Sequence, residues 1–220
     1  MKITSVFTVS LFMLFSFVLK AQNTEILKSK TTWLLADLLK NKSTEVLGNP
    51  AIVSSPYGEV VSFDGIDDAL FLKEMPLKGL ESFTVEMIFK PDNNSAFEQR
   101  VLHIGEIMGD RMLLEIRAVE NNWYFDGYAA TRGVKLALAK EDLLHPLGQW
   151  YHVAFVVTAN SLTTFVNGKQ ELDEAYTFNP IETGQTSIGV RMNKVSWFKG
   201  AIYKIQISPT ALKPNQFLRL

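Results

Sequence analysis

The chain has 220 residues, 47% of them hydrophobic, enough to bury one substantial core in a single domain. Its 22 basic and 23 acidic residues include no Lys/Arg run, so neither nucleic acid nor an anionic membrane surface is an expected partner. The lack of cysteine excludes disulfides, thiolate zinc sites, a lipidated cysteine and cysteine nucleophiles.

Met1-Lys2 followed by the apolar run Ile3 to Leu19 and then Lys20-Ala21 reads as a secretory signal over residues 1–21, cleaved after Ala21. The run is short of the roughly 20 residues a spanning helix needs, and no stop-transfer charges follow it. The expectation is a secreted or periplasmic protein with no membrane insertion once the signal is removed. Cleavage would leave 20 basic against 23 acidic residues, a net charge of −3. Residues 22–44 form a lead-in whose T-T-W-L-L-A-D-L-L-K fits either a short helix or an irregular strand docking Trp33. From residue 45 to 220, short runs rich in Val, Ile, Phe, Thr and Tyr alternate with turn signals such as P-Y-G, D-G, P-D-N-N and N-G. That pattern predicts an all-β fold, an antiparallel sandwich or barrel.

F-D-G-I-D-D, Phe63 to Asp68, sits between two strand-like runs. Asp64-Gly65 can form a turn, and Asp67 or Asp68 can cap backbone N–H groups. The alternative is that Asp64, Asp67 and Asp68 hold calcium through carboxylate oxygens, although the spacing does not match a calcium-hand loop. In S-F-T-V-E-M-I-F-K-P-D, Phe83, Val85, Met87 and Phe89 share one parity and predict a strand with a strongly apolar face.

Arg100 to Ala118 reads as a hairpin turning at Met108-Gly109, with Ile107 opposite Asp110, Glu106 opposite Arg111, Leu102 opposite Glu115 and Arg100 opposite Arg117. Alternation then collects Arg100, Glu106, Arg111, Glu115 and Arg117 on one face and Val101, His103, Met112, Leu114, Ile116 and Ala118 on the core face. Such a charged face is either solvated surface or a ligand groove, since Arg forks and carboxylates grip sugar hydroxyls and uronates. If the chain is an enzyme, Glu115 is the principal carboxylate with Glu106 second, the flanking arginines being expected to depress the Glu115 pKa. Further candidate ligand contacts are Tyr124, beside Trp123, and His152, which shares a parity with Trp150, Ala154 and Val156. Arg191 and Asn193, two residues apart, complete the set. No two of His103, His145 and His152 have metal-ligand spacing. Asn167-Gly168 predicts a tight hairpin pairing Val166 with Lys169 and Phe165 with Gln170.

Several stretches together resemble the laminin-G-like branch of the concanavalin A-like lectin/glucanase superfamily. They are S-F-D-G-I-D-D (62–68), S-F-T-V-E-M-I-F-K-P-D (82–92), G-Q-W-Y-H-V-A-F-V-V (148–157), F-V-N-G-K-Q (165–170), S-I-G-V-R (187–191) and W-F-K-G-A-I-Y-K-I-Q-I-S-P-T-A-L (197–212). The resemblance implies a jelly roll of two antiparallel sheets, one concave. It implies a binder of glycans or proteins, while distant relatives degrade polysaccharides. Metal-binding members commonly carry an acidic residue where this chain has Tyr203, which weakens the calcium reading. E-L-D-E at Glu171 to Glu174 lacks the last glutamate of the glucanase signature E-x-D-x-x-E, that position being Tyr176. The leading expectation is a secreted carbohydrate-binding protein whose polar concave face centres on Arg100, Arg111, Glu115, Arg117 and Arg191, with polysaccharide or glycan as partner. A hydrolase or lyase using Glu115, and a protein-interaction or adhesion module with a protein partner, are the alternatives. No cofactor other than calcium is suggested.

Overall fold

The computed structural model describes residues 29–220, so the signal read over residues 1–21 lies outside the described residues. In chain order the elements begin with β1 (Thr31–Leu34), α1 (Leu35–Lys40), β2 (Glu45–Leu47), β3 (Ala51–Ser55), β4 (Gly58–Asp64) and β5 (Ala69–Leu72). There follow β6 (Phe83–Pro91), β7 (Glu98–Gly105), β8 (Arg111–Val119), β9 (Asn122–Thr131), β10 (Val134–Ala139) and β11 (His145–Pro146). The last are β12 (Tyr151–Val157), β13 (Ser161–Val166), β14 (Lys169–Ala175), β15 (Gln185–Ile188) and β16 (Lys199–Ser208). Among the described residues no helix is long and apolar enough to cross a membrane.

Two antiparallel sheets face each other in a jelly-roll sandwich. The first runs β14-β13-β12-β6-β16-β4-β3 with β1 also on β16, and the second runs β10-β9-β8-β7-β15-β5-β2 with β11 on β9. The lead-in forms both a strand and a helix: β1 pairs Trp33 with Ile205 of β16, and Trp33, Leu35 and Leu38 enter the core. Alternation decides what else is buried. Phe83, Val85, Met87 and Phe89 of β6, Val153, Phe155 and Val157 of β12, and Met112, Leu114 and Ile116 of β8 join one core between the sheets, in which Trp123 packs edge-on against Phe89. The opposite parity of β12 is also buried. Ala154 and Val156 pack with Phe165 and Phe217 on the outer face of the first sheet, where the C-terminal segment lies across it. His145 Nε2 meets Glu171 Oε1 at 2.7 Å, joining β11 of the second sheet to β14 of the first. The E-L-D-E stretch thus lies on an edge strand.

Candidate ligand-binding face

The outer face of the second sheet is where the predicted charges gather, through a different register from the one alternation suggests. The connection between β7 and β8 is a loop, Glu106 to Asp110, closed by the Glu106 N–H donating to the Asp110 carbonyl at 2.9 Å. Gly105, not Glu106, stands opposite Arg111. A bulge between Arg100 and Leu102 then pairs Arg100 with Glu115, Leu102 with Leu114 and Glu98 with Arg117. The bulge lets the adjacent Val101 and Leu102 both enter the core and reverses the parity beyond them. His103 consequently leaves the core face expected for it and stands opposite Leu113 and Ser187 on the outer face.

Arg100, Arg111, Glu115, Arg117 and Tyr124 share this face. Register adds Asp126 opposite Glu115, Tyr124 opposite Arg117 and Tyr128 opposite Leu113. Arg117 holds Asp126 at 2.6 Å and Glu115 at 3.3 Å, Arg100 holds Glu115 at 2.9 Å, and Glu98 bridges both arginines. The Phe97 ring covers the Arg117 guanidinium. Glu115 is only 3% exposed within this closed network. Burial pushes its carboxyl up to about 7, Arg100 and Arg117 opposing and Asp126 reinforcing. The expected depression by flanking arginines is therefore overturned, because the neighbours that supply positive charge also exclude water.

Arg111 and Arg191 differ from the other two arginines. Arg111 donates to the Gly109 carbonyl at 2.6 Å and to the Tyr128 hydroxyl at 3.0 Å. Arg191 donates to the Ile107 carbonyl at 3.2 Å. Neither has a carboxylate within ion-pair distance among the described residues. Buried polar atoms without a hydrogen-bond partner include Arg111 Nε, Arg191 Nε, His103 Nδ1 and Asp126 Oδ1. His103 Nε2 meets the Glu106 carbonyl at 3.0 Å. Burial, opposed by that contact and reinforced by Arg191, Arg111 and Arg100, drives the His103 pKa down to about 4.

Beside this cluster the loop Glu106–Gly109 and the segment Met192–Lys194 enclose a groove of about 750 Å³. Phe71, Gly105, Gly184 and Gln185 complete its lining. Lys194 Nζ sits 5.8 Å from the centre of the Phe71 ring, and Glu106 accepts a hydrogen bond from Thr183. Ile107 and Met108 are exposed at the rim.

The other predicted contacts fall elsewhere. Glu106 lines the groove while Glu115 lies in the ion network, so the two carboxylates do not form one cleft. Asn193 is exposed in a turn closed by the Lys194 N–H on the Arg191 carbonyl, where strand parity with Arg191 does not apply. His152 is on the first sheet, 3.0 Å from the buried Glu86 carboxylate and beneath Phe217. Asp64, Asp67 and Asp68 bring ligand oxygens within 4.8 Å of one another. Asp64 Oδ1 accepts N–H groups of Ile66, Asp67 and Asp68, and Asp68 accepts those of Asn49 and Asp64. These are the caps of a structural turn. The residues that sequence reasoning passed over, Glu98, Asp126 and Tyr128, carried a usable signal in part: Tyr124, Asp126 and Tyr128 alternate along one strand.

A sequence model of the concanavalin A-like lectin/glucanases superfamily matches residues 64–216. No curated protein matches in sequence. Among solved structures, the chain is similar to domain 4 of an extracellular arabinanase from Geobacillus stearothermophilus, solved in complex with arabinotriose. That likeness has 19% identity, a TM-score of 0.60 and 85% coverage of each chain. It is also similar to a heptameric pentraxin from Limulus polyphemus, at 18% identity and TM-score 0.55 over 70% of this chain and 77% of that one. A Trypanosoma rangeli sialidase matches at 13% identity and TM-score 0.55, over 78% of this chain and 28% of the sialidase. At these identities the likeness is one of fold.

Proposed function

Because the chain belongs to the concanavalin A-like lectin/glucanase superfamily, we propose that it is an exported glycan-binding protein that seats a saccharide between Glu106–Gly109 and Met192–Lys194. The observation that carries this reading is the groove's mixed lining. The Phe71 ring and two methionines offer apolar surface, while Gln185, Glu106 and Lys194 stand within the same walls. A sugar has an apolar ring face and a belt of hydroxyls, and such a lining serves both. The arabinanase domain solved with arabinotriose supports a saccharide as the ligand class. Binding is favoured over hydrolysis because Glu115 is enclosed by its arginines and does not line the groove, leaving Glu106 there without a second carboxylate.

Native affinity electrophoresis of residues 22–220 through gels cast with neutral and acidic polysaccharides, then stained for polysaccharide, tests the proposal. Retardation with the stain intact, lost in Phe71→Ala, is the expected result. A cleared track would replace the binder by an enzyme. Normal migration in every gel would remove the glycan reading and favour a protein partner at the exposed Ile107 and Met108.

A further inference from the structure

We propose that the saccharide bound in this groove carries a carboxylate, and that Arg111 and Arg191, which flank the groove behind its Glu106–Gly109 wall without lining it, are the positive charges that select it. The inference rests on the glycan reading of the groove and narrows its ligand to an acidic sugar. Four arginines occupy this region, and three carboxylates, Glu98, Glu115 and Asp126, are all engaged by Arg100 and Arg117. Arg111 is 5% exposed, yet its compensation is neutral: its donors meet a carbonyl and a phenol, the centre of the Tyr128 ring lies 5.1 Å from its guanidinium carbon, and its Nε meets no acceptor. A buried guanidinium without a counter-charge is costly, and folded proteins ordinarily offset it with an anion.

Arg191, half-exposed, likewise has no carboxylate partner: its Nε is unpartnered and its terminal nitrogen donates to the Ile107 carbonyl. Both arginines thus grip the loop that forms one groove wall, through Gly109 and Ile107. Lys194 adds a third cation at the opposite wall. Against these stands Glu106, already bonded to Thr183, while Asp110 is turned toward the Arg132 N–H at 2.8 Å. Forked guanidinium groups suit a planar carboxylate, which accepts two parallel hydrogen bonds.

The test compares ligands that differ only in that charge: polygalacturonate with its fully methyl-esterified form, and sialyllactose with lactose. The first pair reports a uronate and the second a sialate. Wild-type residues 22–220 should bind the charged member of one pair on the order of tenfold or more tightly than its neutral partner. Arg191→Gln, at a half-exposed position, should abolish that preference without lowering the melting temperature, and Arg111→Lys should weaken it by removing the fork. Equal affinity within both pairs, or a preference that survives Arg191→Gln, overturns the inference. Retention only by neutral polysaccharides overturns it while leaving the glycan reading intact, and retention by none overturns both.

Discussion

Folding moves the protons of two neighbouring outer-face residues in opposite directions. Glu115 is raised to about 7 by burial, so between its usual range near 4.3 and about 7 the folded chain holds a proton that the unfolded chain has released. Its contribution to stability is full below that window and is lost as pH rises through about 7. His103 is lowered to about 4 by burial, so its contribution is full above the usual range near 6.5 and is lost as pH falls through about 4. From about 4.5 to 6.5 the slopes oppose, each at most about 1.4 kcal/mol per pH unit. Glu115→Gln should leave a stability that climbs with pH relative to wild type across this range, and His103→Gln one that declines. Urea unfolding at three pH values decides the matter, since parallel profiles in all three proteins would contradict both shifts. At the D-G-I-D-D turn the reasoning is simpler. Burial pushes the Asp64 carboxyl upward, but N–H groups of Ile66, Asp67 and Asp68 outweigh it and hold the pKa below the usual range. Asp64→Ala should cost about 1–2 kcal/mol by leaving these donors without their acceptor, and calcium or a chelator should not move the melting temperature of either protein.

The elements separate what can be read locally from what tertiary structure decides. At Asn167-Gly168 the turn and its pairings, Val166 with Lys169 and Phe165 with Gln170, follow from two residues that accept positive φ. The apolar parity of Phe83 to Phe89 was equally legible, because one strand contains the whole pattern. The β7–β8 hairpin was not, since V-L-H-I offers two adjacent apolar residues and only the space between the sheets determines that both go inward. His152 was misplaced relative to Glu115 for a related reason: parity assigns a side chain to a face of its strand, never a strand to one of two sheets. The groove also eluded sequence reasoning, its walls being turns brought together by the pairing of β15 with β7. Two glycines test these elements. Gly168 has φ +75° with nothing within 4 Å of an added Cβ, so Gly168→Ala should cost about 1 kcal/mol of backbone strain. Gly184 has φ +128°, and an added Cβ would lie 2.1 Å from the Gly105 carbonyl carbon. Gly184→Ala must separate two backbones under the groove, and denaturant unfolding should place it well below Gly168→Ala in stability.

On the scale of the whole molecule, each sheet has one face in the shared core and an outer face that is partly withdrawn from water by later segments of the chain. On the second sheet the covering is polar, with Arg100 N–H donating to the Ser196 carbonyl and Arg191 reaching the Ile107 carbonyl. On the first sheet it is apolar at its centre. Phe217 packs edge-on against Phe165 at 5.0 Å and over His152, and is 7% exposed. The Leu218 N–H donates to Glu86 Oε1 at 2.6 Å, and the same carboxylate receives His152 and Gln206. The fully buried Glu86 therefore depends on the C-terminal segment for one of its donors. Phe217→Ala should remove the apolar contact, admit water to the Glu86–His152 pair and cost about 3 kcal/mol in urea unfolding. The covering lies on the opposite sheet from the groove, so saccharide affinity measured well below the unfolding transition should be unchanged. A loss of affinity in Phe217→Ala that matches its loss of stability would mean that the two outer faces act as one unit, and that the groove depends on the C-terminal segment across the sandwich.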